Sequence, residues 1–207
     1  MKKIILTIAS ILMIISVNAQ IQRLSGPRVG LTFIAPGSSA DILHKGSAFV
    51  DNDNENKLGE TGPATITQYG WQWESRFADG SGDIIGIVEW IALVGGMEQG
   101  KFLPSMSSII GVRTSNGFEV GVGPNLSLMG FESYKSGEYD NPLFPTPVVG
   151  LGMIFAIGKN FKSGDLNLPV NLVFMPGKSY TQTIGGVENE YSSGARISIM
   201  VGFNLGK

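Results

Sequence analysis

The chain ends in GARISIMVGFNLGK, residues 194–207, and from Ala195 onward its side chains divide into two sets. Ala195, Ile197, Ile199, Val201, Phe203 and Leu205 are apolar, whereas Arg196, Ser198, Gly202 and Asn204 are polar or tiny, with Met200 the exception. Successive side chains of a β-strand point to opposite faces, so this strand has one apolar face and one that tolerates water and charge. It is long for a soluble strand and it closes the chain. The pattern predicts the last strand of a transmembrane β-barrel. It names no reaction.

Composition narrows the class. The chain has 207 residues, enough for one domain with a substantial core. Charged residues make up 15% and apolar residues 43%, a charge-poor balance without the composition of a helical membrane protein. The 29 glycines favour turns, kinks and narrow inward positions over long helices. A net charge of −2 argues against a nucleic-acid partner, because phosphate binding needs clustered positive surface. Cysteine is absent, which excludes disulfides, a thiol nucleophile, Cys-ligated zinc and a lipid-modified cysteine at a cleavage point.

Residues 1–19 have the layout of a cleaved signal peptide. Lys2 and Lys3 form a basic start, residues 4–15 an apolar run, and Val17-Asn18-Ala19 a cleavage site ending on a small residue. The apolar run is shorter than the ~20 residues that a helical span needs. Residues 20–207 form the expected mature domain. They contain no apolar stretch of helical transmembrane length, so any further insertion must use strands.

Alternation recurs along the mature chain. Val29, Leu31 and Phe33 oppose Arg28, Gly30 and Thr32, and Tyr69, Trp71, Trp73 and Phe77 oppose Gln68, Gly70, Gln72, Glu74 and Arg76. Residues 83–96 are apolar at nearly every position, which a buried helix could also show. β-branched residues, glycines and the lone Glu89 favour a strand there. Residues 101–113, 117–129, 148–157 and 166–175 alternate in turn, the second and third around Phe118, Val120, Val122, Leu126, Val149, Leu151, Met153 and Phe155. Turns are expected at 79–82, 97–100, 115–117 (Ser-Asn-Gly, a hairpin signal) and 158–165. The polar stretches 35–64, 131–147 and 177–193 show no strand or helix period and are expected to be long loops. The total is about eight strands, most of the ~9–11 residues that such a span requires. With the N-terminus in the periplasm, the short turns all fall at the periplasmic end. The long connections then lie outside, 97–100 excepted.

On these alternating segments the mature chain resembles the small outer-membrane β-barrels of Gram-negative bacteria, of the eight-stranded, up-and-down type. The resemblance is one of pattern and covers nearly all of residues 20–207. It implies an all-β antiparallel barrel in the outer membrane, with outer-membrane lipids around it and the barrel-assembly machinery as a partner during biogenesis. In that family the last strand finishes on an aromatic residue read by this machinery. Here Phe203 lies on the apolar face but the chain continues Asn204-Leu205-Gly206-Lys207.

The inner face is expected to carry Arg28, Glu74, Arg76, Glu89, Arg113, Glu119 and Arg196. Opposite charges in a narrow lumen should pair, since an unpaired buried charge is costly. A salt-bridged plug is favoured over a gated ion path or a small-molecule site, because a barrel of about eight strands has room only for side chains. Tyr69, Trp71, Trp73, Trp90 and Phe203 suit membrane-interface positions, with a carbohydrate platform on Trp71 and Trp73 as the lesser reading.

No catalytic residue, metal ligand or cofactor is expected. His44, the single histidine, has Ser38, Ser39 and Asp41 nearby in sequence, the ingredients of a lipid-modifying hydrolase, but without a strand to fix their geometry. Asp51, Asp53 and Glu55 alternate like part of a calcium loop but lack its glycine and distal glutamate, so a solvated acidic tip is expected. The favoured role is structural, adhesive or accessory, exercised through the long loops. The alternatives are an outer-membrane lipid-modifying enzyme using His44, and a secreted soluble barrel that turns its apolar face inward around a small apolar ligand.

Overall fold

Each alternating segment finds two antiparallel neighbours, and the last strand pairs with the first. A computed structural model of the chain describes residues 23–45, 62–78, 83–132, 146–164, 166–184 and 187–206. The expected signal segment 1–19, the turn at 79–82, and Asp51, Asp53 and Glu55 lie outside these residues. The barrel strands are β1 (Arg23–Ile34), β2 (Ala64–Ala78), β3 (Ile84–Gly95), β4 (Leu103–Thr114), β5 (Phe118–Glu132), β6 (Thr146–Ser163) and β7 (Leu166–Met175). After a separate ribbon of β8 (Ser179–Ile184) and β9 (Val187–Ser192) come β10 (Arg196–Gly202) and β11 (Asn204–Gly206).

β10 and β11 are two pieces of one stave, interrupted at Phe203. Both pair with β1 on one side and β7 on the other. Sequential neighbours pair from β1 through to β7, so the sheet closes into an eight-stave antiparallel barrel with no free edge. Both termini of the described chain and the short turns share one end of the barrel. α1 (Ser38–Lys45), the 3-10 turn Met97–Gln99 and the β8–β9 ribbon belong to the other, here the loop end.

The wall is inverted relative to a soluble protein. Leu31 is 52% exposed and Leu151 61%, and Val149, Met153, Phe155, Ile197, Ile199 and Val201 are likewise exposed. Arg28, Glu74, Glu89, Arg113 and Glu119 are buried. A soluble barrel with its apolar face inward is therefore the wrong way round for this chain. Close packing in the lumen depends on missing side chains. A Cβ on Gly30 would strike the Met200 sulfur, and one on Gly202 would strike the Arg28 guanidinium.

Several expected boundaries move, for local reasons. Residues 35–64 contain the helix α1, eight residues long and so too short to establish a period. β5 and β6 reach into the expected 131–147 loop, pairing as far as Glu132 with Thr146, past a bulge between Leu128 and Gly130. β6 also runs through the expected 158–165 turn to Ser163. Alternation continues there with a charged residue outward, Lys159, whose ammonium lies 5.4 Å from the Phe161 ring centre. The expected 177–193 loop is the β8–β9 hairpin, a backbone ladder whose polar composition leaves no apolar period. At the 115–117 turn only Gly117 has a positive φ (80°). Its N–H donates to the Thr114 carbonyl (2.9 Å), so the glycine alone supplies the left-handed position.

The Gly30–Met200 contact gives a direct check on this packing. Gly30→Val forces a branched side chain against the thioether, and overpacking of this kind costs about 1–3 kcal/mol. The temperature at which the folded band converts on unboiled gels should fall. Adding Met200→Ala should recover most of the loss; an unchanged Gly30→Val would contradict the inward packing.

Candidate functional site

The lumen is the site the fold builds, and it has two halves. In the half nearer the termini, charged residues from five staves converge because each occupies an inward position of its strand. Arg113 on β4 is the hub. Its Nη1 and Nη2 donate to the two Glu74 oxygens (2.6 Å each), and its Nε donates to Glu119 Oε1 (2.7 Å). This fork-to-carboxylate geometry is the strongest form of ion pair. Glu89 Oε1 lies 3.9 Å from Arg113 Nη2 and accepts from Gln72 Nε2, whose own Oε1 accepts from Arg28 Nε. Arg76 Nε stands 3.4 Å from Glu74 Oε1. With its amide oriented to donate to the Phe203 carbonyl (3.1 Å), Asn204 accepts from Arg28 Nη2 (3.2 Å).

Three arginines and three glutamates thus balance within one hydrogen-bonded chain. Gln72 and Asn204 are neutral links that the sequence reading did not single out. The signal that could have found them is their inward register on strands already carrying charge. Toward the termini a polar basin of about 300 Å³ opens beside Arg76, Arg113, Asn160 and Lys162.

Arg196 is not part of this network. It lies at the loop end, where β10 begins, and donates from Nη2 to Ser39 Oγ (3.0 Å) and from Nη1 to Ser127 Oγ (3.5 Å). Ser39 belongs to α1, which packs against β2 and β5 on different sides of the barrel and so lies across its mouth. Ala40 and Leu43 of the helix meet Ile34, Ala64 and Ile66 of the wall. At the other end of the helix, Lys101 Nζ donates to the carbonyls of Ile42 and Leu43, groups with no partner inside the helix. The helix starts after Gly37, whose carbonyl accepts from the Asp41 N–H (3.0 Å).

His44 sits on the exposed side of α1 with Nε2 3.1 Å from the Pro63 carbonyl oxygen, while Ser38, Ser39 and Asp41 are buried. Among the described residues no cluster of histidine and carboxylate groups suited to a metal occurs. Tyr69, Trp71, Trp73, Trp90 and Phe203 are all on the outer wall, each a little under half exposed, and Trp73 is directly opposite Trp90 in the β2–β3 register.

No protein-family model and no curated protein sequence matches the chain. Among solved structures it is similar to Ail, the attachment invasion locus protein of Yersinia pestis, at 9% identity over 90% of this chain and 99% of that one, with a TM-score of 0.26. Ail in complex with the heparin analogue sucrose octasulfate gives 8% identity over the same shares and a TM-score of 0.27. The β domain of the Bordetella autotransporter BrkA gives 9% identity over 88% of this chain and 99% of that one, with a TM-score of 0.24. Scores this low carry no inference about role. The strand pairing itself establishes the barrel.

Arg113 is the residue whose loss should be felt most. Arg113→Met leaves Glu74 and Glu119 without their closest cation in a buried site, and breaking such a pair costs roughly 3–5 kcal/mol. In lipid vesicles, the urea midpoint followed by tryptophan fluorescence should fall accordingly, while Lys159→Met on the outer wall changes it little. Equal midpoints for Arg113→Met and the wild type would show that the network holds nothing together.

Proposed function

We propose that this chain is an outer-membrane β-barrel of a Gram-negative envelope, exported by a cleaved segment 1–19. Its role is non-enzymatic: structural, adhesive or accessory, exercised from the loop end. One observation carries the reading, namely the closed barrel with large apolar side chains outward around its wall and paired charges inward. Water is a poor solvent for such a wall and lipid chains are a good one, while the closed ladder leaves no free sheet edge in hydrocarbon. Outer-membrane lipids are then its permanent surroundings. The barrel-assembly machinery is its partner during insertion, with Phe203 on the lipid face of the final stave as the aromatic signal. The exposed tyrosine and tryptophans serve as interface anchors.

The network around Arg113 acts in this reading as a structural plug. Its bonds run through consecutive staves from β11 through β1 to β5, and a charge-balanced, side-chain-filled half of a lumen of this size supports closure over solute flow. Exchange with the outside is left to surfaces at the loop end: α1, the Met97–Gln99 turn and the β8–β9 ribbon.

Fractionation tests the location. The protein should stay with outer membranes until detergent is added, and the unboiled sample should migrate differently from the boiled one. Recovery as a water-soluble monomer would sink the proposal. The non-enzymatic reading is checked separately: replacing His44 by Ala should leave the lipid A mass spectrum identical to that of wild-type cells.

A further inference from the structure

The loop-end half of the lumen is chemically unlike the half below it. A cavity of about 90 Å³ lies beneath α1, and Arg196 is the one charged residue among the described residues lining it. Toward the middle of the barrel its wall is aliphatic, formed by Ile109, Ile154 and Met200, all buried. The neutral polar groups along it satisfy one another. Thr32 Oγ1 donates to Gln68 Oε1 and accepts from Ser198 Oγ (2.7 Å), and Asn125 Nδ2 donates to Ser107 Oγ (2.9 Å).

Arg196 is the exception. Its Nε is shielded from solvent and has no partner, and no carboxylate stands within 4.0 Å of its guanidinium among the described residues. Its two contacts are neutral serine hydroxyls. The contrast with Arg113, matched by carboxylates on β2, β3 and β5, lies within one lumen. Arg196 is half-buried, so its guanidinium gives up part of its water without gaining a counter-charge among the described residues, and its planar fork fits a carboxylate closely.

We propose that this cavity is a binding site for a short-chain aliphatic carboxylate. The carboxylate sits on Arg196, beside Ser39 and Ser127, and the tail points down the lumen toward Ile109, Ile154 and Met200. The walls select the tail: an inorganic anion would answer the charge but leave the aliphatic surface uncovered. The volume selects its length. A water needs roughly 10–15 Å³ of such space, so the cavity takes on the order of six to nine units of that size, matching an acid of about six carbons. α1 covers the site and contributes Ser39 to it, so the ligand would also brace the helix across the mouth. The paired network below closes the far end of the cavity.

Calorimetric titration of the full folded chain in an uncharged detergent tests this, with hexanoate, hexanol and acetate as probes. Hexanol keeps the tail and removes the charge; acetate keeps the charge and removes the tail. Hexanoate should bind saturably with one site per chain, about tenfold or more tighter than hexanol, the worth of one charge-assisted bond, and about tenfold or more tighter than acetate, from the buried tail. Arg196→Gln should abolish the preference over hexanol, and Ile154→Trp, which fills the cavity without touching Arg196, should abolish hexanoate binding. The heat-dependent gel shift verifies that each variant is folded. No saturable hexanoate binding, or binding no tighter than that of hexanol or acetate, overturns the proposal on the wild-type protein alone. Hexanoate binding that persists unchanged in either folded variant overturns it as well.

Discussion

Everything else in this molecule depends on the antiparallel pairing of β1 with β10 and β11. Until that ladder forms, the sheet has two edges of unpaired backbone groups, and an apolar wall with such edges can rest neither in water nor in hydrocarbon. Closing it satisfies the backbone. It also defines an inside, and only then do residues scattered from position 28 to position 204 come within hydrogen-bonding distance. The glycines at 30 and 202 belong to the same constraint, because closure brings Met200 and Arg28 up against them.

Once closed, the barrel has a chemical gradient along its axis. The half near the termini holds balanced charge, with Arg113 bound by Glu74 and Glu119 and with Gln72 and Asn204 extending the chain of bonds to Arg28. The other half is aliphatic, with hydroxyls and a single guanidinium, and carries a helix at its mouth. A buried pair tolerates loss of water when its geometry is good, whereas a buried single charge does not. That difference separates a structural filling from a place with unmet bonding capacity.

Much of the architecture is legible in local pattern. The two-residue period at Tyr69–Trp71–Trp73, at Val149–Leu151–Met153–Phe155 and along the final stave assigns strands and faces correctly, since the alternation is a property of the extended backbone itself. The residues of 83–96 also resolve as a strand, with Glu89 inward, although their near-continuous apolar run is one a buried helix could also show. Pattern fails where no period has room to develop. α1 spans only two turns, and its serines and Asp41 read as ordinary loop residues. The β8–β9 ribbon is held by backbone bonds that side-chain chemistry does not report. Lys159 falls in the turn expected at 158–165, yet its long stem can lie along the wall while strand continues beneath it.

The sequence by itself determined the strands, their approximate number, the apolar and polar side of each, and the list of charges that share the polar side. These are consequences of chirality and pleat, which act within a few residues. The tertiary structure alone decided which side of the wall was outside, which charges met, and which one did not. Arg28, Arg113 and Arg196 occupy equivalent inward positions in their strands, and nothing local distinguishes them. Only stave order and register bring carboxylates to Arg113 and Gln72 to Arg28, while leaving Arg196 among serines and isoleucines, because proximity across a closed barrel is set by the ladder rather than by distance along the chain.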